Sequence, residues 1–299
     1  MSALGRSEAL IPERFGREGC PVSARLPLAT AARVCPVCAG CGSTPLFERD
    51  GYPLVRCAGC STVFVASDPA AIDFETLYGE SYYRGGHDAT FADYTGEEAA
   101  RRRSARRHLL AMRWLQPGLP RRGRLLDVGC AAGFFLAEAR RWYEVQGVEL
   151  SAWAAGYARE RLGLPILTGT LQQAALPAGR FDLVTLWDVI EHVPDPVPLL
   201  AEAARVLAPQ GRLVLTTGDW GSAYAQSRGV HWHLMTPPWH LTMFSRATLA
   251  EAARRAGLRV LHMASEGVAG DSSFWRSRPG LLLGRVLDRG DIMRVTLAH

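Results

Sequence analysis

The chain has 299 residues, a formal net charge of +5 and an apolar share of 48%. Domains average roughly 100–200 residues, so this length suffices for one full α/β domain and a smaller module. No apolar run approaches the roughly 20 residues that cross a bilayer, and the N-terminal residues lack the apolar stretch of a secretory signal. These features exclude a membrane-spanning protein and predict a soluble, cytoplasmic one.

Arginine supplies all of the positive charge counted at pH 7, because the sequence contains no lysine. Asparagine is absent as well. Both absent residues have A-rich codons, so base composition accounts for the bias without a nucleic-acid ligand. The densest arginine cluster, 101–107 (RRRSARR), lies within a predicted surface helix over 98–115. We interpret these arginines as a solvated helix face, and a phosphate-binding patch is the alternative.

The first third of the chain divides into three segments before the main domain. Residues 1–33 have little pattern and predict a disordered tail. Residues 34–66 hold a cysteine cluster, and residues 67–104 are dense in tyrosine and glycine, which predicts an aromatic cap or linker. The main domain is expected over 105–299.

The cysteine cluster has the pattern of a structural zinc site. Cys57 and Cys60 form one C-x2-C pair, whereas Cys35, Cys38 and Cys41 offer two alternative pairs of the same spacing. Two such pairs at this separation are typical of a zinc ribbon, in which four thiolates close the metal's coordination. A cytoplasmic setting disfavours disulfides. We therefore expect a structural Zn²⁺ and leave the choice between Cys35 and Cys41 open.

Beyond the cysteines, strand-like and helix-like patterns alternate. This alternation predicts a Rossmann-like parallel sheet covered by helices on both faces. The predicted strands are 124–128, 145–149, 165–168, 181–187, 211–217, 258–263 and 291–297. The predicted helices are 133–143, 151–162, 196–207 and 245–256. Residues 218–243 break the alternation with Trp, His and Pro, and we interpret them as a substrate loop.

The first predicted strand ends in an acid and is followed by a loop of small residues. Asp127 precedes Gly129, Ala131 and Gly133. A dinucleotide site would place G-x-G-x-x-G there, and an acid would repel its pyrophosphate, which disfavours a nicotinamide-linked oxidoreductase. Glu149 ends the second strand, where an acid accepts ribose hydroxyls. A ligand with a ribose and a positively charged amino-acid part is S-adenosylmethionine (SAM).

These motifs resemble the class I SAM-dependent methyltransferases. LLDVGCAAG at 125–133 is similar to the family's first motif, FDLVTLWDVIEHVPDP at 181–196 to its fourth-strand region, and LAPQGRLVLTT at 207–217 to its fifth. The resemblance implies a seven-stranded sheet whose antiparallel seventh strand lies between the fifth and the sixth. It also implies a set of cofactor contacts: Asp127, Gly129, Ala131, Gly133, Glu149, Leu150, Thr170, Leu171, Trp187 and Asp188.

Methyl transfer to a neutral acceptor also requires a proton acceptor. The candidates are His240, His192 and Asp188, with His233 as a further histidine in the predicted substrate loop. The sequence resembles sugar C-methyltransferases in which a Glu-His pair takes part in catalysis. Here Trp239 stands at the position of that glutamate, directly before His240. Three tyrosines of the aromatic segment either cap the site or pack between the ribbon and the core: Tyr82, Tyr83 and Tyr94.

The order of zinc ribbon, aromatic segment and core resembles bacterial methyltransferases of sugars and natural products. It implies methyl transfer to oxygen or carbon of a small molecule, by a monomer or homodimer with no membrane or nucleic-acid partner. One alternative is an RNA methyltransferase that grips RNA with its zinc module. Another is a non-enzymatic module that only retains SAM.

Overall fold

The computed structural model describes residues 33–85, 93–115, 118–266 and 290–299. The predicted tail over 1–33 therefore lies outside the described residues except for Arg33.

The described residues form two sheets and the helices that cover them. The strands, in chain order, are β1 (Ser43–Arg49), β2 (Tyr52–Cys57), β3 (Val63–Val65), β4 (Gly123–Val128), β5 (Tyr143–Glu149), β6 (Ile166–Thr168), β7 (Phe181–Trp187), β8 (Leu207–Gly218), β9 (Thr242–Met243), β10 (Arg259–Glu266) and β11 (Ile292–Ala298). The helices are α1 (Phe74–Leu77), α2 (Glu80–Tyr83), α3 (Glu98–Leu115), α4 (Phe134–Ala139), α5 (Ala152–Leu162), α6 (Pro196–Val206), α7 (Ala223–Arg228) and α8 (Arg246–Arg255).

The larger sheet has seven strands in the order β10-β11-β8-β7-β4-β5-β6. The five strands from β8 to β6 in that order pair in parallel, and β11 is antiparallel to both β8 and β10. This confirms the predicted Rossmann-like sheet, including the antiparallel seventh strand between the fifth and the sixth. Each of the seven predicted strands is present.

The direction of the chain across the sheet reverses beside β4. From β4 the chain proceeds outward through β5 and β6, and then β7 returns to pair with the other side of β4. Ligands of doubly wound sheets bind at the carboxyl ends of the strands beside such a reversal. The sequence expectation of a site after β4 therefore coincides with the topology.

Both faces of the sheet are buried, which explains the near-continuous apolar strand sequences. Consecutive side chains of a strand point to opposite faces. Leu125 packs into a cluster that includes Leu136 of α4, whereas Leu126 packs into one that includes Leu200 of α6 and Leu249 of α8.

One helix is shorter than its sequence pattern. The prediction over 133–143 is wrong at its end, because α4 stops at Ala139. Tyr143 is buried and pairs with Gly123 at the start of β5, so the chain must turn before it. The amide of Trp142 donates to the carbonyl of Ala139 in that turn.

The smaller sheet is antiparallel, with strand order β1-β2-β3-β9. Its first three strands belong to the predicted zinc ribbon over 34–66, but β9 comes from the end of the predicted substrate loop. The ribbon and the loop thus share one sheet.

Candidate active site and metal site

The loop between β4 and α4 has a left-handed backbone at three alternate positions. Gly129, Ala131 and Gly133 have φ of 69°, 49° and 78°. A Cβ on Gly129 would lie 2.7 Å from a methyl of Val189, and one on Gly133 would lie 2.6 Å from a methyl of Leu164. These glycines are therefore required by backbone conformation and by protein packing.

Glu149 holds this loop in place. Its Oε2 accepts a hydrogen bond of 2.7 Å from the amide of Ala131, and its Oε1 accepts one of 2.8 Å from the amide of Ser151, the N-cap of α5. Burial raises the pKa of Glu149, and these amide donors counteract that rise. A carboxylate offers about four acceptor positions, so Glu149 can also accept hydroxyls from a ligand.

Asp127 on β4 is the second buried acid beside this loop and is 1% exposed. We call the space between Asp127, Glu149 and the loop the crevice. The hydroxyl of Thr185 donates to its Oδ1 at 2.6 Å. Burial raises the pKa of Asp127 to about 8, opposed by the Thr185 hydroxyl and assisted by the charge of Glu149. A cation bound in the crevice would compensate for this unfavourable carboxylate.

The other predicted cofactor contacts surround the same ends of the strands. Leu150 follows β5, and Thr170 and Leu171 follow β6, where Leu171 is buried and Thr170 is exposed. Trp187 ends β7 and makes an edge contact with the ring of Phe135, with centroids 5.1 Å apart.

Asp188 lies in an unusual backbone conformation at the tip of β7. Its φ is 52°, which is uncommon for a residue with a side chain. The hydroxyl of Thr216 on β8 donates to Asp188 Oδ1 at 2.8 Å, and the amide of Asp188 contacts the same hydroxyl at 3.1 Å. These hydrogen bonds hold the start of the loop that leads to His192. Backbone strain, such as the positive φ of Asp188, concentrates at functional sites.

Two tyrosines of the aromatic segment pack on the helices that follow β4 and β5, close to Glu149. Tyr83 stacks on Trp153 of α5 with centroids 5.3 Å apart, and Tyr94 stacks on Phe134 of α4 at 5.6 Å. Burial, followed by the charge of Glu149, raises the pKa of Tyr83 well above its usual value. These ring contacts are made with the core helices α4 and α5 and not between the ribbon and the core, so they favour the capping interpretation.

Two of the predicted histidines come together. The rings of His192 and His240 meet edge to face with centroids 4.5 Å apart. The hydroxyl of Tyr78 lies 2.8 Å from Nδ1 of His192. Sequence reasoning missed Tyr78, which lies among several similar tyrosines. His233 is not part of this pair, since its exposed side chain lies 3.5 Å from the carboxylate of Asp291 instead.

The environment keeps both histidines neutral. Nδ1 of His240 lies 2.6 Å from the carbonyl oxygen of Leu234, so it must carry a proton and leave the lone pair on Nε2. Burial lowers the pKa of His240 to about 4, opposed by that hydrogen bond. Burial and the proximity of His240 lower the pKa of His192 well below its usual value.

Glu191 adjoins this pair and was missed as a site residue. It is buried, and the hydroxyl of Thr217 donates to its Oε2 at 2.9 Å. Burial and the charge of Asp188 raise the pKa of Glu191 to about 8. Donor atoms of Glu191, His192 and His240 all lie within 4.8 Å of one another, so the three residues could hold a cation or exchange a proton.

Four of the five candidate cysteines converge. The sulfurs of Cys35 and Cys60 are 3.5 Å apart and those of Cys38 and Cys57 are 3.4 Å apart. A zinc ion with four bonds of about 2.3 Å spaces its sulfurs about 3.8 Å apart, so this set fits the metal. Cys41 is exposed and lies outside the cluster, so the structure brings together the pair that begins at Cys35.

Hydrogen bonds around Cys57 favour its thiolate. Burial alone would raise the pKa of Cys57, but the amide of Cys60, the thiol of Cys38 and the amide of Gly59 lower it to about 7. Amides aimed at sulfur suit a thiolate ligand, which agrees with the donor set expected for structural zinc.

The sheet order and the acid-glycine-acid crevice define the class I methyltransferase fold. A family model described as a methyltransferase domain matches residues 97–263, more than half of the chain. The chain belongs to this methyltransferase domain family.

Sequence relatives agree with this assignment. A ubiquinone biosynthesis O-methyltransferase of Thiobacillus denitrificans is 38% identical over 117 residues, covering 36% of this chain and 50% of that protein. One of Methylococcus capsulatus is 33% identical over 116 residues, covering 36% and 49%. The chain thus spans about half the length of the curated relatives it matches.

The structural likeness supports the fold. A possible histamine N-methyltransferase of Thermotoga maritima is 23% identical with a TM-score of 0.51, covering 69% of this chain and 93% of that one. A chain of the complex between the Haloferax volcanii Trm112 activator and a methyltransferase is 21% identical with a TM-score of 0.51, covering 68% and 91%. Among the described residues, no helix combines the length and the hydrophobicity needed to cross a membrane.

Proposed function

We propose that the chain is a SAM-dependent methyltransferase that methylates a hydroxyl oxygen of a small molecule. The observation that carries the proposal is the pair of buried acids, Asp127 and Glu149, on either side of the left-handed loop. When bound, SAM supplies a methyl group on a sulfonium leaving group. Asp127 would face its cationic amino-acid part, and Glu149 would accept its ribose hydroxyls through the lone pairs that the amides leave free.

The other cofactor contacts in the proposal follow the strand ends. Leu150, Thr170 and Leu171 would flank the adenine and ribose, and Trp187 with Asp188 would border the methyl group. Asp188 also fixes the loop that carries His192, so we assign it a positioning role.

His240 is the proposed base. Its proton on Nδ1 is committed to the Leu234 carbonyl, which leaves Nε2 as the acceptor, and its low pKa keeps that nitrogen neutral at physiological pH. A neutral hydroxyl loses its proton as it attacks the methyl group, so an available lone pair supports an oxygen acceptor. The O-methyltransferase names of the sequence relatives point the same way. His192 would orient the acceptor together with Tyr78.

The ribbon is proposed to hold structural Zn²⁺ through Cys35, Cys38, Cys57 and Cys60. With four thiolates the metal has no position open for a substrate. The acceptor class we favour is a hydroxylated natural product or sugar.

The test uses SAM labelled in its methyl group and a panel of hydroxylated aromatic compounds and nucleotide sugars. His240→Gln should lower the rate of methyl transfer by about 10²–10⁴-fold, because general base catalysis contributes that much. His233→Gln, which changes an exposed histidine outside the pair, should retain the wild-type rate. Absence of SAM binding to the wild-type protein by calorimetry would refute the proposal, and a product methylated at carbon would refute the oxygen acceptor.

A further inference from the structure

The cysteine ribbon is connected to the histidine pair through one short strand. Strand β9 begins two residues after His240 and pairs with β3 of the ribbon, with Val63 opposite Met243 and Phe64 opposite Thr242. The amide of Val65 also donates to the carbonyl of Leu241 at 2.9 Å. The backbone that follows His240 is therefore an edge of the ribbon's own sheet.

The same residues hold the second histidine from their other side. The amides of Leu241 and Thr242 donate to the carbonyl of Glu191 at 2.8 Å and 3.2 Å. Glu191 immediately precedes His192. Residues 241–242 thus bridge the ribbon strand and the loop that carries His192, so they set the separation of the two rings.

A partly buried arginine makes a second connection between the cysteine segment and this loop. Arg33, two residues before Cys35, donates through Nη1 to the carbonyl of Val65 at 3.0 Å and through Nη2 to that of Pro194 at 2.6 Å. Its guanidinium therefore fastens β3 to the end of the His192 loop.

Packing makes this connection stiff. Val63 and Val65 of β3 are fully buried in one cluster with Leu241 and Met243. On the cysteine side, the amide of Cys57 donates to the carbonyl of Thr62, the residue before β3. A displacement of the Cys57–Cys60 turn would consequently move β3 and the segment packed on it.

We propose that the four-cysteine ribbon is a positioning element for the histidine pair, in addition to its role in folding. Closure of the four thiolates holds β3, β3 holds residues 241–242, and these residues hold His192 against His240. The inference rests on the proposed function for its catalytic consequence. The cofactor acids lie on β4 and β5 of the other sheet, so the ribbon should affect the histidines and leave SAM binding unchanged.

The test follows the imidazole nitrogens of the full-length protein by NMR, with His192→Gln and His240→Gln to assign their signals. Metal content is measured before and after treatment with a chelator, and SAM affinity is measured by calorimetry. Cys60→Ser removes one cluster thiolate, and Cys41→Ser is the matched control because Cys41 is exposed and outside the cluster. Arg33→Gln loosens β3 while it retains all four cysteines.

Metal removal, Cys60→Ser and Arg33→Gln should each shift or broaden the signals of His192 and His240, whereas Cys41→Ser should not. SAM affinity should stay within about twofold, as expected for separate sites. With an acceptor in hand, Arg33→Gln should lower kcat by on the order of tenfold to hundredfold without changing KM for SAM.

Unchanged histidine signals after complete metal loss would overturn the inference. If Cys60→Ser fails to fold, Arg33→Gln decides: histidine signals unchanged in a metal-loaded Arg33→Gln protein would overturn it as well. Failure of the proposed function has a different signature, because wild-type protein would then not bind SAM while its histidine signals still responded to the metal.

Discussion

Asp127 has little to stabilise its negative charge in the ligand-free protein. It is buried, the hydroxyl of Thr185 donates a hydrogen bond to it, and its pKa is raised to about 8. At pH 7 the side chain is therefore mainly protonated. A bound cation favours the carboxylate, so we expect SAM binding to release a proton from Asp127, approaching one per site near pH 7.

Calorimetry in buffers of different ionisation enthalpy measures that release directly. Asp127→Asn is the matched variant, since its amide oxygen can still accept from Thr185 but cannot ionise. It should bind SAM with weaker affinity, by about 1–3 kcal/mol, and with less proton release. Equal proton release in both proteins would contradict the assignment of the proton to Asp127.

The sequence predicted the positions of some site residues and not of others. Asp127 and Glu149 were predictable because each ends a strand, and the carboxyl ends of neighbouring parallel strands meet. The contact between His192 and His240 was not, because it depends on how the loop after β8 folds back over β7. The choice of Cys35 over Cys41 likewise depends on the turn geometry, since both pairs have the same spacing.

Helices α3 and α4 are joined by a carboxylate that has no exposed surface. Glu138 of α4 contacts Arg102 at 2.7 Å, Arg106 at 3.4 Å and Arg141 at 3.5 Å. The buried carboxylate thus holds the arginine-rich helix α3 against α4, and only part of the positive charge of α3 faces solvent. Two of the arginines in the 101–107 cluster make this contact. Neither the solvated helix face nor the phosphate-binding patch expected from the sequence therefore describes every arginine of the cluster.

We expect Glu138→Gln to lower the free energy of unfolding by about 1–3 kcal/mol. The amide can still accept from Arg102, but the charge that attracts three guanidinium groups is lost. The loss should stay below the roughly 3–5 kcal/mol typical of a broken buried pair, because the arginines can regain water.

Urea unfolding checks this prediction, with Arg103→Gln as the control. Arg103 lies on the same helix and is exposed, so its change should cost less than about 0.5 kcal/mol. Equal stabilities of the wild-type protein and Glu138→Gln would show that the buried carboxylate contributes nothing net.

Whole elements were predictable where their pattern was long. The seven strands of the main sheet alternate with helix-like segments of the sequence, which located these strands and α3 within a few residues. Helices α1 and α2 and strand β9 are too short to carry a period. Strand β9 also exists only because β3 offers it hydrogen bonds from a distant part of the chain.

At the scale of the molecule, ribbon and methyltransferase core are one packed body in the described residues. Cys35, Val55 and Phe64 of the ribbon belong to the same apolar cluster as Leu200 and Leu249 of the core helices. The segment boundaries expected at 66 and 105 therefore divide the sequence without dividing the apolar core, and α3 itself starts at Glu98.

Buried acids with raised pKa values and buried histidines with lowered pKa values make the stability of the whole protein depend on pH. The raised pKa values of Asp127 and Glu191, each about 8, favour the folded protein at low pH, and this contribution is lost as the pH rises toward 8. The lowered pKa values of His192 and His240 act oppositely, since their contribution is complete above about 6.5 and is lost at lower pH. Between pH 6.5 and 8 the carboxyl groups therefore dominate.

Without SAM, we expect the free energy of unfolding to fall between pH 6.5 and 8 by on the order of 2 kcal/mol, since each fully titrating group contributes about 1.4 kcal/mol per pH unit. Glu191→Gln should show a smaller fall, because the Gln amide oxygen still accepts from Thr217 but the side chain no longer titrates. Both proteins have the same cysteines, so any pH dependence of metal binding cancels in the comparison of their urea unfolding curves. An identical fall in both proteins would mean that Glu191 is already ionised at pH 6.5, and a wild-type stability that rises across this window would contradict neutral buried acids altogether.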